Sequence, residues 1–302
     1  MPTVAEQYVE ALKHIDSMYA LWGPKPNTAL KPGCCGYFDA QGSWNPIVDL
    51  GKQDEASRFG FATVLPTLEE ESLGKWEPAC SENVAWKRVA LAAPVKIPQL
   101  GVDLKMKLEF SKDDQYGACL VTGPTVVNKY YANPKTLFED WAMKKYGAVS
   151  RAVPDVKEHG LWIITKVYET PRCAVAGWAG TSGSLSLYAG AGSLFGGAIT
   201  LEGTLAAGQE HSAALWKFLP DDDTKSDDIW SLVTGKLFKS NSNIPPYVVF
   251  VGALRYKRTM RPFPPHLVPV GKPSRGDEDE GLVEVSDEDG DKLWLQREEW
   301  GQ

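Results

Sequence analysis

The sequence predicts an α+β fold, in which a twisted, mostly antiparallel central sheet carries peripheral helices and is followed by a short carboxyl-terminal tail. Many segments alternate between apolar and polar residues or are rich in β-branched and aromatic residues. Helical periodicity is confined to a few segments. The chain has 302 residues, 43% hydrophobic and 24% charged, which is the balance of a globular protein.

The first elements expected are a helix and a hairpin. Residues 5–22 place apolar side chains three and four positions apart, the spacing of an amphipathic helix. The prolines within residues 23–26 are expected to end it. Two strand-like runs within residues 36–50 flank Gln41 and Gly42, which predicts a β-hairpin.

The middle of the chain is predicted to be mainly strands. Residues 102–110 alternate without exception between apolar and charged types, and strand-like runs also cover residues 84–97 and 116–121. Residues 136–146 have the pattern of a helix, and residues 161–168 that of a largely buried strand.

From residue 174 to 208 glycine, alanine, serine and threonine predominate. Ordering so many glycines is entropically unfavourable, so we expect a weakly specified sheet register there. A strand over 212–219, a short helix over 229–238 and a strand within 247–260 follow.

The carboxyl-terminal part divides by composition into a body, 1–261, a proline-rich linker, 262–276, and an acidic tail, 277–302. The tail, with eleven acidic and two basic residues, has a net charge of −9, against −7 for the whole chain, so residues 1–276 together carry a slight net positive charge of +2. We expect the tail either to be solvated or to mask a basic surface. A terminal element containing Leu293, Trp294, Leu295 and Trp300 is expected to dock on the body.

Catalytic motifs are missing from the sequence. It contains no phosphate-binding GxxxxGK[ST], no GxSxG and no HExxH, and its four histidines share no metal-ligand spacing. The prediction is a protein that is not an enzyme and has no cofactor or metal, although a site assembled from distant residues stays open. A pI near 5.3 argues against binding to nucleic acid.

The five cysteines match neither a disulfide framework nor a zinc site, so reduced thiols are expected. Cys34 and Cys35 are candidates for lipidation, although buried thiols are the simpler interpretation. No apolar run approaches the length of a spanning helix, and the amino terminus lacks the pattern of a signal peptide. We therefore expect a cytoplasmic protein.

Three segments together carry a family resemblance. They are Gly160–Thr170 (GLWIITKVYET), the small-residue stretch 180–192 and residues 212–219, and in this order they resemble the second half of the gasdermin pore-forming domain. The helix at 136–146, the strands within 84–121 and the amino-terminal helix also occur where that family has corresponding elements. The resemblance covers about residues 1–260 and departs from better-known members at residues 220–243.

Only about forty residues follow the body, so the chain looks most like the compact fungal gasdermins associated with allorecognition and heterokaryon incompatibility. The resemblance implies a pyroptosis-like effector of regulated cell death. A partner protease, subtilisin- or caspase-like, would release the tail by cutting near Phe263 or Leu267. The body would then bind anionic lipids of the plasma membrane and form a homo-oligomeric β-barrel pore.

Candidate membrane contacts follow from this resemblance. A membrane-crossing strand of about 9 to 11 residues fits the alternating segment, whose apolar positions are Val102, Leu104, Met106, Leu108 and Phe110. Candidate lipid-binding cations are Lys13, Lys25, Lys31, Lys105 and Lys107, and candidate interfacial anchors are Phe38 and Trp44. Solvated lysines and an ordinary half-buried strand are the competing interpretations.

The acidic tail is hypothesised to cover the basic cluster at residues 255–261 or the lysines near the first helix. The alternative function is a non-enzymatic, β-rich module that binds carbohydrate or protein, for which eleven tryptophans and eleven tyrosines supply contact surfaces.

Overall fold

The computed structural model describes a set of ranges that covers most of the chain. They are residues 2–61, 65–74, 76–90, 104–110, 116–122, 125–132, 135–178, 184–189, 201–204, 216–219, 245–258, 282–286 and 292–300. The fold is α+β, with mostly antiparallel, open sheets and few helices, as predicted.

The helices and strands have the following bounds. The helices are α1 Val4–Leu12, α2 Gln53–Arg58, α3 Lys135–Ala152 and α4 Asp155–His159. The strands are β1 Tyr19–Pro26, β2 Cys34–Phe38, β3 Trp44–Asp49, β4 Leu68–Gly74, β5 Ala79–Cys80, β6 Val84–Ala90, β7 Leu104–Phe110, β8 Gly117–Thr122, β9 Val126–Tyr131, β10 Leu161–Thr170, β11 Cys173–Trp178, β12 Ser184–Ala189, β13 Leu201–Thr204, β14 Trp216–Leu219, β15 Tyr247–Arg258, β16 Leu282–Ser286 and β17 Lys292–Trp300.

The chain divides into two compact units, each built from three chain segments. Unit 1 comprises Met1–Ala29, Glu70–Asn128 and Tyr168–Phe250. Unit 2 comprises Leu30–Glu69, Lys129–Val167 and Val251–Gln302.

Unit 1 begins with α1, whose start is set by a capping box. The Thr3 hydroxyl accepts a hydrogen bond from the Glu6 N–H at 3.2 Å, and the Glu6 carboxylate accepts one from the Thr3 N–H at 2.7 Å. The inner face of α1 buries Ala5, Tyr8, Val9 and Leu12.

The helix is shorter than predicted, and the expectation that it runs to residue 22 is wrong. It ends at Leu12, and the chain turns through Asp16 and Ser17, which have φ values of 49° and 52°. The apolar run that follows, Met18 and residues 20–22, is buried in and beside β1 rather than along a helix. The prolines of residues 23–26 therefore lie in a strand and do not end a helix.

Two four-stranded antiparallel sheets lie in unit 1, with the orders β14-β11-β8-β5 and β13-β12-β7-β6. A core of buried side chains from α1, β1, β8 and β11 joins Tyr8 and Leu12 to Trp22, Leu120 and Val175. The predicted strands at 84–97, 116–121 and 212–219 correspond to β6, β8 and β14, within the described residues.

Unit 2 contains the strand order β16-β17-β15-β10-β2-β3. The predicted hairpin is confirmed as β2 and β3, the strand at 161–168 as β10, and the helix at 136–146 as the longer α3. Its core packs α3 against the sheet through Phe138, Tyr146, Ile163, Tyr256 and Leu295. The predicted helix at 229–238 and the linker at 262–276 lie outside the described residues.

Candidate functional site

The sheet of β6, β7, β12 and β13 separates residues by polarity across two faces. In the central pair Leu104, Met106 and Leu108 lie opposite Ala189, Leu187 and Leu185. Residues directly opposite in an antiparallel pair share a face of the sheet, because side chains alternate along each strand. One face of the central pair is therefore built from apolar residue types.

The other face of the same pair is polar. Lys105 lies opposite Tyr188, Lys107 opposite Ser186 and Glu109 opposite Ser184. The strict alternation predicted for residues 102–110 thus continues in register onto a strand from the glycine-rich segment. Val102 itself lies outside the described residues.

The outer strands extend both faces. On the apolar face β6 adds Val84, Trp86, Arg88 and Ala90, and β13 adds Leu201 and Gly203. On the polar face β6 adds Ala85, Lys87 and Val89, and β13 adds Glu202 and Thr204. Arg88, opposite Met106, is the one charged residue on the apolar face among the described strands.

The connections within the two hairpins leave the sheet at the same end. Ala90, the last residue of β6, and Ala189, the last residue of β12, both lie opposite Leu104, the first residue of β7. Leu201, the first residue of β13, lies opposite Leu187 of β12, close to the same end. The connecting segments, 91–103 and 190–200, contain two charged residues between them, Lys96 and Asp103. Apolar and small residues therefore dominate the sequence beyond that end of the sheet.

A second feature, in unit 2, is the carboxyl-terminal strand β17. It pairs antiparallel with β15 over six residue pairs, from Ala253 opposite Trp300 to Arg258 opposite Leu295, and with β16 on its other side. Leu295 is fully buried in the core of unit 2. This part of the acidic tail is therefore an integral strand of the sheet.

Ion pairs attach β17 to its neighbours. Arg255 Nη1 donates to Glu298 Oε2 at 3.0 Å, and Arg297 Nη1 donates to Glu139 Oε1 at 2.8 Å. Glu299 accepts from Lys135 of α3. Glu298 thus pairs with Arg255, one member of the basic cluster at residues 255–261 that the tail was hypothesised to cover. Arg261, another member, lies outside the described residues.

Aromatic contacts add to this attachment. The indole of Trp300 stacks on that of Trp162 with ring centroids 6.1 Å apart. The guanidinium of Arg255 lies 5.2 Å from the ring of Trp162, and it also donates two hydrogen bonds to the carbonyl oxygen of His159. The tail strand therefore joins a cation, two indoles and a carboxylate in one cluster.

The predicted lipid-binding lysines have different surroundings. Lys31 Nζ lies 2.8 Å from the buried carboxylate of Asp49, and this hydrogen bond raises the pKa of Lys31. Lys13 lies 3.8 Å from Glu10 on α1, and Lys25 lies partly buried in β1. Lys105 and Lys107 share the polar face described above, with Lys107 opposite Lys87.

The predicted interfacial anchors, Phe38 and Trp44, are buried. They are 5% and 7% exposed, and the Phe38 ring centroid lies 4.9 Å from that of Trp44 and 5.1 Å from that of Trp162. An anchoring role would require this aromatic cluster to open.

The candidate lipidation sites are buried too. Burial raises the pKa of the Cys34 thiol to about 11 and that of Cys35 well above its ordinary value. A thiolate is the reactive form, so neither cysteine is activated in this conformation. The predicted cleavage region at Phe263 and Leu267 lies outside the described residues.

Two pairings in the fold were not predicted, and only one of them has a local sequence signal. The strands of the tail flank Asp289-Gly290, a dipeptide that favours hairpin turns, and this would have predicted the pairing of β16 with β17. The apposition of Cys80 and Cys119 across β5 and β8 has no comparable signature, because the residues are far apart in sequence.

Within the described part of the chain, no group of three or more histidine, cysteine or acidic residues has the arrangement of a metal site. None of the helices described there is long and apolar enough to cross a membrane. No protein-family model matches this chain, and no curated protein matches its sequence.

Proposed function

We propose that this chain is a pore-forming protein that acts like a gasdermin. Its body binds anionic lipid, assembles with further copies into a β-barrel, and is restrained by the carboxyl-terminal tail until the linker is cut. The observation that carries the proposal is the two-faced sheet of β6, β7, β12 and β13. In its central pair, β7 and β12, apolar and polar residue types lie on opposite faces in register, and the outer strands extend both faces with Arg88 as an exception on the apolar face and Ala85 and Val89 as exceptions on the polar face.

A strand that crosses a bilayer needs one face for lipid and one for water. The apolar face supplies leucine, methionine, valine and tryptophan, and the polar face supplies lysine, serine and glutamate. Hydrocarbon leaves edge strands without hydrogen-bond partners, so the sheet inserts only as part of a closed barrel built from several copies. The homo-oligomer is therefore part of the proposal.

The strands must lengthen to span a membrane. β6 and β7 have seven residues each, β12 has six and β13 has four, whereas about 9 to 11 are needed. Both hairpins can extend at their common end, where residues 91–103 and 190–200 are largely apolar or small.

The restraint is assigned to β17. This strand covers one side of β15, buries Leu295 and pairs Glu298 with Arg255. Loss of the tail would leave the backbone groups of β15 and the charge of Arg255 without these partners. An edge strand with unpaired N–H and C=O groups is a ready surface for association. A proteolytic cut in the linker, residues 262–276, is the proposed trigger.

The roles in regulated cell death and in moving from cytoplasm to plasma membrane are proposed from the family resemblance. Lys105, Lys107 and Lys87 share one face of the sheet and are the cations that we assign to anionic headgroups or to the water-filled lumen. Lys31 is the weakest of the original candidates because it already pairs with Asp49.

Dye release from vesicles tests the proposal. A specific protease sequence is placed in the linker of the full chain, and the protein is added to vesicles that contain anionic phospholipid. We expect dye release only after cleavage, and less with purely zwitterionic vesicles. The unmodified chain plus protease is the control.

Size-exclusion chromatography in parallel reports whether the cut tail has dissociated. Intact vesicles in the presence of a body that has lost its tail would overturn the proposal. They would favour the alternative of a β-rich binding module.

A further inference from the structure

Cys80 of β5 and Cys119 of β8 lie directly opposite each other in an antiparallel pair within unit 1. Their Sγ atoms are 3.3 Å apart. Both thiols are free, so the two residues are positioned for a bond that they have not formed.

The register makes this pair favourable for a disulfide. The N–H of Ser81 donates to the carbonyl oxygen of Ala118 at 2.9 Å, and the N–H of Ala118 donates back to the Ser81 hydroxyl at 3.0 Å, so Ser81 and Ala118 form a hydrogen-bonded pair. Such pairs alternate with non-hydrogen-bonded ones, which makes Cys80 and Cys119 a non-hydrogen-bonded pair with Cα atoms about 4.5 Å apart. Disulfides accept Cα separations of about 4.4 to 6.8 Å, so the backbone can stay in place.

We propose that Cys80 and Cys119 are a thiol–disulfide modification site that a peroxide oxidises. The site depends on the geometry of β5 and β8 and does not rest on the proposed pore function.

The order of reaction follows from exposure. Cys80 is partly exposed, whereas Cys119 is fully buried. The hydrogen bond with Cys80, together with burial, raises the pKa of the Cys119 thiol, so Cys119 keeps its proton while Cys80 reacts. Cys80 is thus the attacking residue and Cys119 the resolving one.

The chemistry uses one molecule of hydrogen peroxide. The Cys80 thiolate attacks a peroxide oxygen, an S–O bond forms, the O–O bond breaks, and hydroxide leaves with the proton that Cys80 gave up, as water. The Cys119 sulfur then attacks the sulfenic sulfur, the S–S bond forms, and the hydroxyl group leaves with the Cys119 proton as a second water. Two electrons pass from the thiols to the peroxide.

The disulfide would enclose a defined part of the sheet. β5 ends at Cys80 and is followed by β6, while β7 precedes β8, so the chain between the two cysteines contains the whole β6–β7 hairpin. The disulfide would link β5, which precedes this hairpin in the chain, to β8, which follows it. We therefore expect oxidation to restrict opening of the hairpin.

Peptide mapping of the full chain tests this. The protein is treated with hydrogen peroxide, free thiols are alkylated during unfolding, and it is digested without reductant. We expect one linked pair, Cys80 with Cys119, and alkylated Cys34, Cys35 and Cys173. The Cys119→Ser variant should form no linked pair. Because it lacks the resolving thiol, it should accumulate a sulfenic acid at Cys80 that dimedone traps. Cys173→Ser, at another buried cysteine, should form the link within about twofold of the wild-type rate.

Hydrogen exchange supplies a second readout that needs no variant. Amides of β6 and β7 should exchange at least about tenfold more slowly in the oxidised chain than in the reduced one. Oxidation of Cys34, Cys35 or Cys173 at the rate of Cys80 would overturn the proposal. So would disulfides only between molecules, or a linked pair that leaves the exchange of the hairpin unchanged.

Discussion

Gly36 occupies a position in β2 that has no room for a side chain. A Cβ there would meet the carbonyl oxygen of Asn45 and would lie 2.9 Å from the Trp44 ring on the neighbouring strand. Backbone and a buried indole are the groups that would have to shift. The close approach of β2 to β3, with a register shift between Cys35 and Gly36, therefore depends on this glycine.

We predict that Gly36→Ala lowers the free energy of unfolding by about 1–3 kcal/mol, because the added methyl overpacks the β2–β3 pair. Gly23→Ala is the matched control, since a Cβ at Gly23 meets nothing within 4 Å. Its effect should be below about 1 kcal/mol. Urea unfolding of both variants measures the difference, and equal effects would contradict the assignment.

A second single-residue effect comes from the Cys34 thiol, which is expected to make the stability of the folded protein depend on pH. Its pKa is about 11 in the folded protein, against an ordinary 9.0, because burial disfavours the thiolate. Below pH 9 the thiol is protonated in both states and its contribution to stability is complete. As pH rises from 9 to 11 the unfolded chain releases the proton first, so this contribution is lost.

We therefore predict that wild-type stability declines more steeply than that of Cys34→Ala between pH 9 and 11. The difference reaches at most about 3 kcal/mol, from a two-unit shift. Urea unfolding at pH 8, 9, 10 and 11 measures it. Parallel curves would show that Cys34 ionises as readily in the folded protein as in the unfolded chain.

At the scale of elements, β17 decides how firmly the tail is held. Its hydrogen bonds to β15 and its ion pairs are supplemented by Leu295, which is fully buried in the core of unit 2. Partly exposed ion pairs contribute only about 0–1 kcal/mol each. Burial of Leu295 is therefore expected to contribute more to tail attachment than the Arg255–Glu298 pair.

We predict that Leu295→Ala weakens binding of the cut tail to the body by at least about 30-fold, since such a cavity costs about 2–5 kcal/mol. Gln296→Ala, at the exposed neighbouring position, should change binding less than about threefold. Dissociation of a fluorescently labelled tail after linker cleavage measures both. Equal rates for the two variants would mean that β17 does not hold the tail through the core.

Strict alternation made some elements predictable. The two runs around Gln41-Gly42 became β2 and β3, and the alternation of residues 104–110 became β7, because local pattern and sheet environment agree there. The first helix was predicted too long because Met18 to Trp22 also satisfies a helical period, and burial of this segment as a strand in the core of unit 1 outweighed that preference.

The site was less predictable than the elements. Composition identified the acidic tail, but it did not predict that part of the tail forms β17, because this strand depends on pairing with β15. The lysine at residue 31 looked available for lipid, yet its ammonium group donates a hydrogen bond to Asp49, eighteen residues later. The buried position of Phe38 likewise depends on Trp162 from a distant strand. Such long-range partners leave no local pattern.

At the scale of the whole molecule, the glycine-rich segment contributes β12 and β13 to a sheet whose other strands come from earlier in the chain. Most of the glycines of this segment lie between its strands in the sequence, since β12 has none and β13 has only Gly203. The register of β12 and β13 is the one that unites apolar residues on a single face. This two-sided patterning is the property on which the proposed insertion into lipid depends.

A probe on each face of β12 tests the central claim most directly. Leu187→Cys and Ser186→Cys, adjacent residues on opposite faces, are each labelled with an environment-sensitive fluorophore on a chain whose natural cysteines are serine. After linker cleavage on anionic vesicles, we predict that a quencher attached to lipid tails quenches the label at 187 and that aqueous iodide quenches the label at 186. Equal quenching at both positions, or labels that never leave water, would contradict the proposed membrane-spanning sheet.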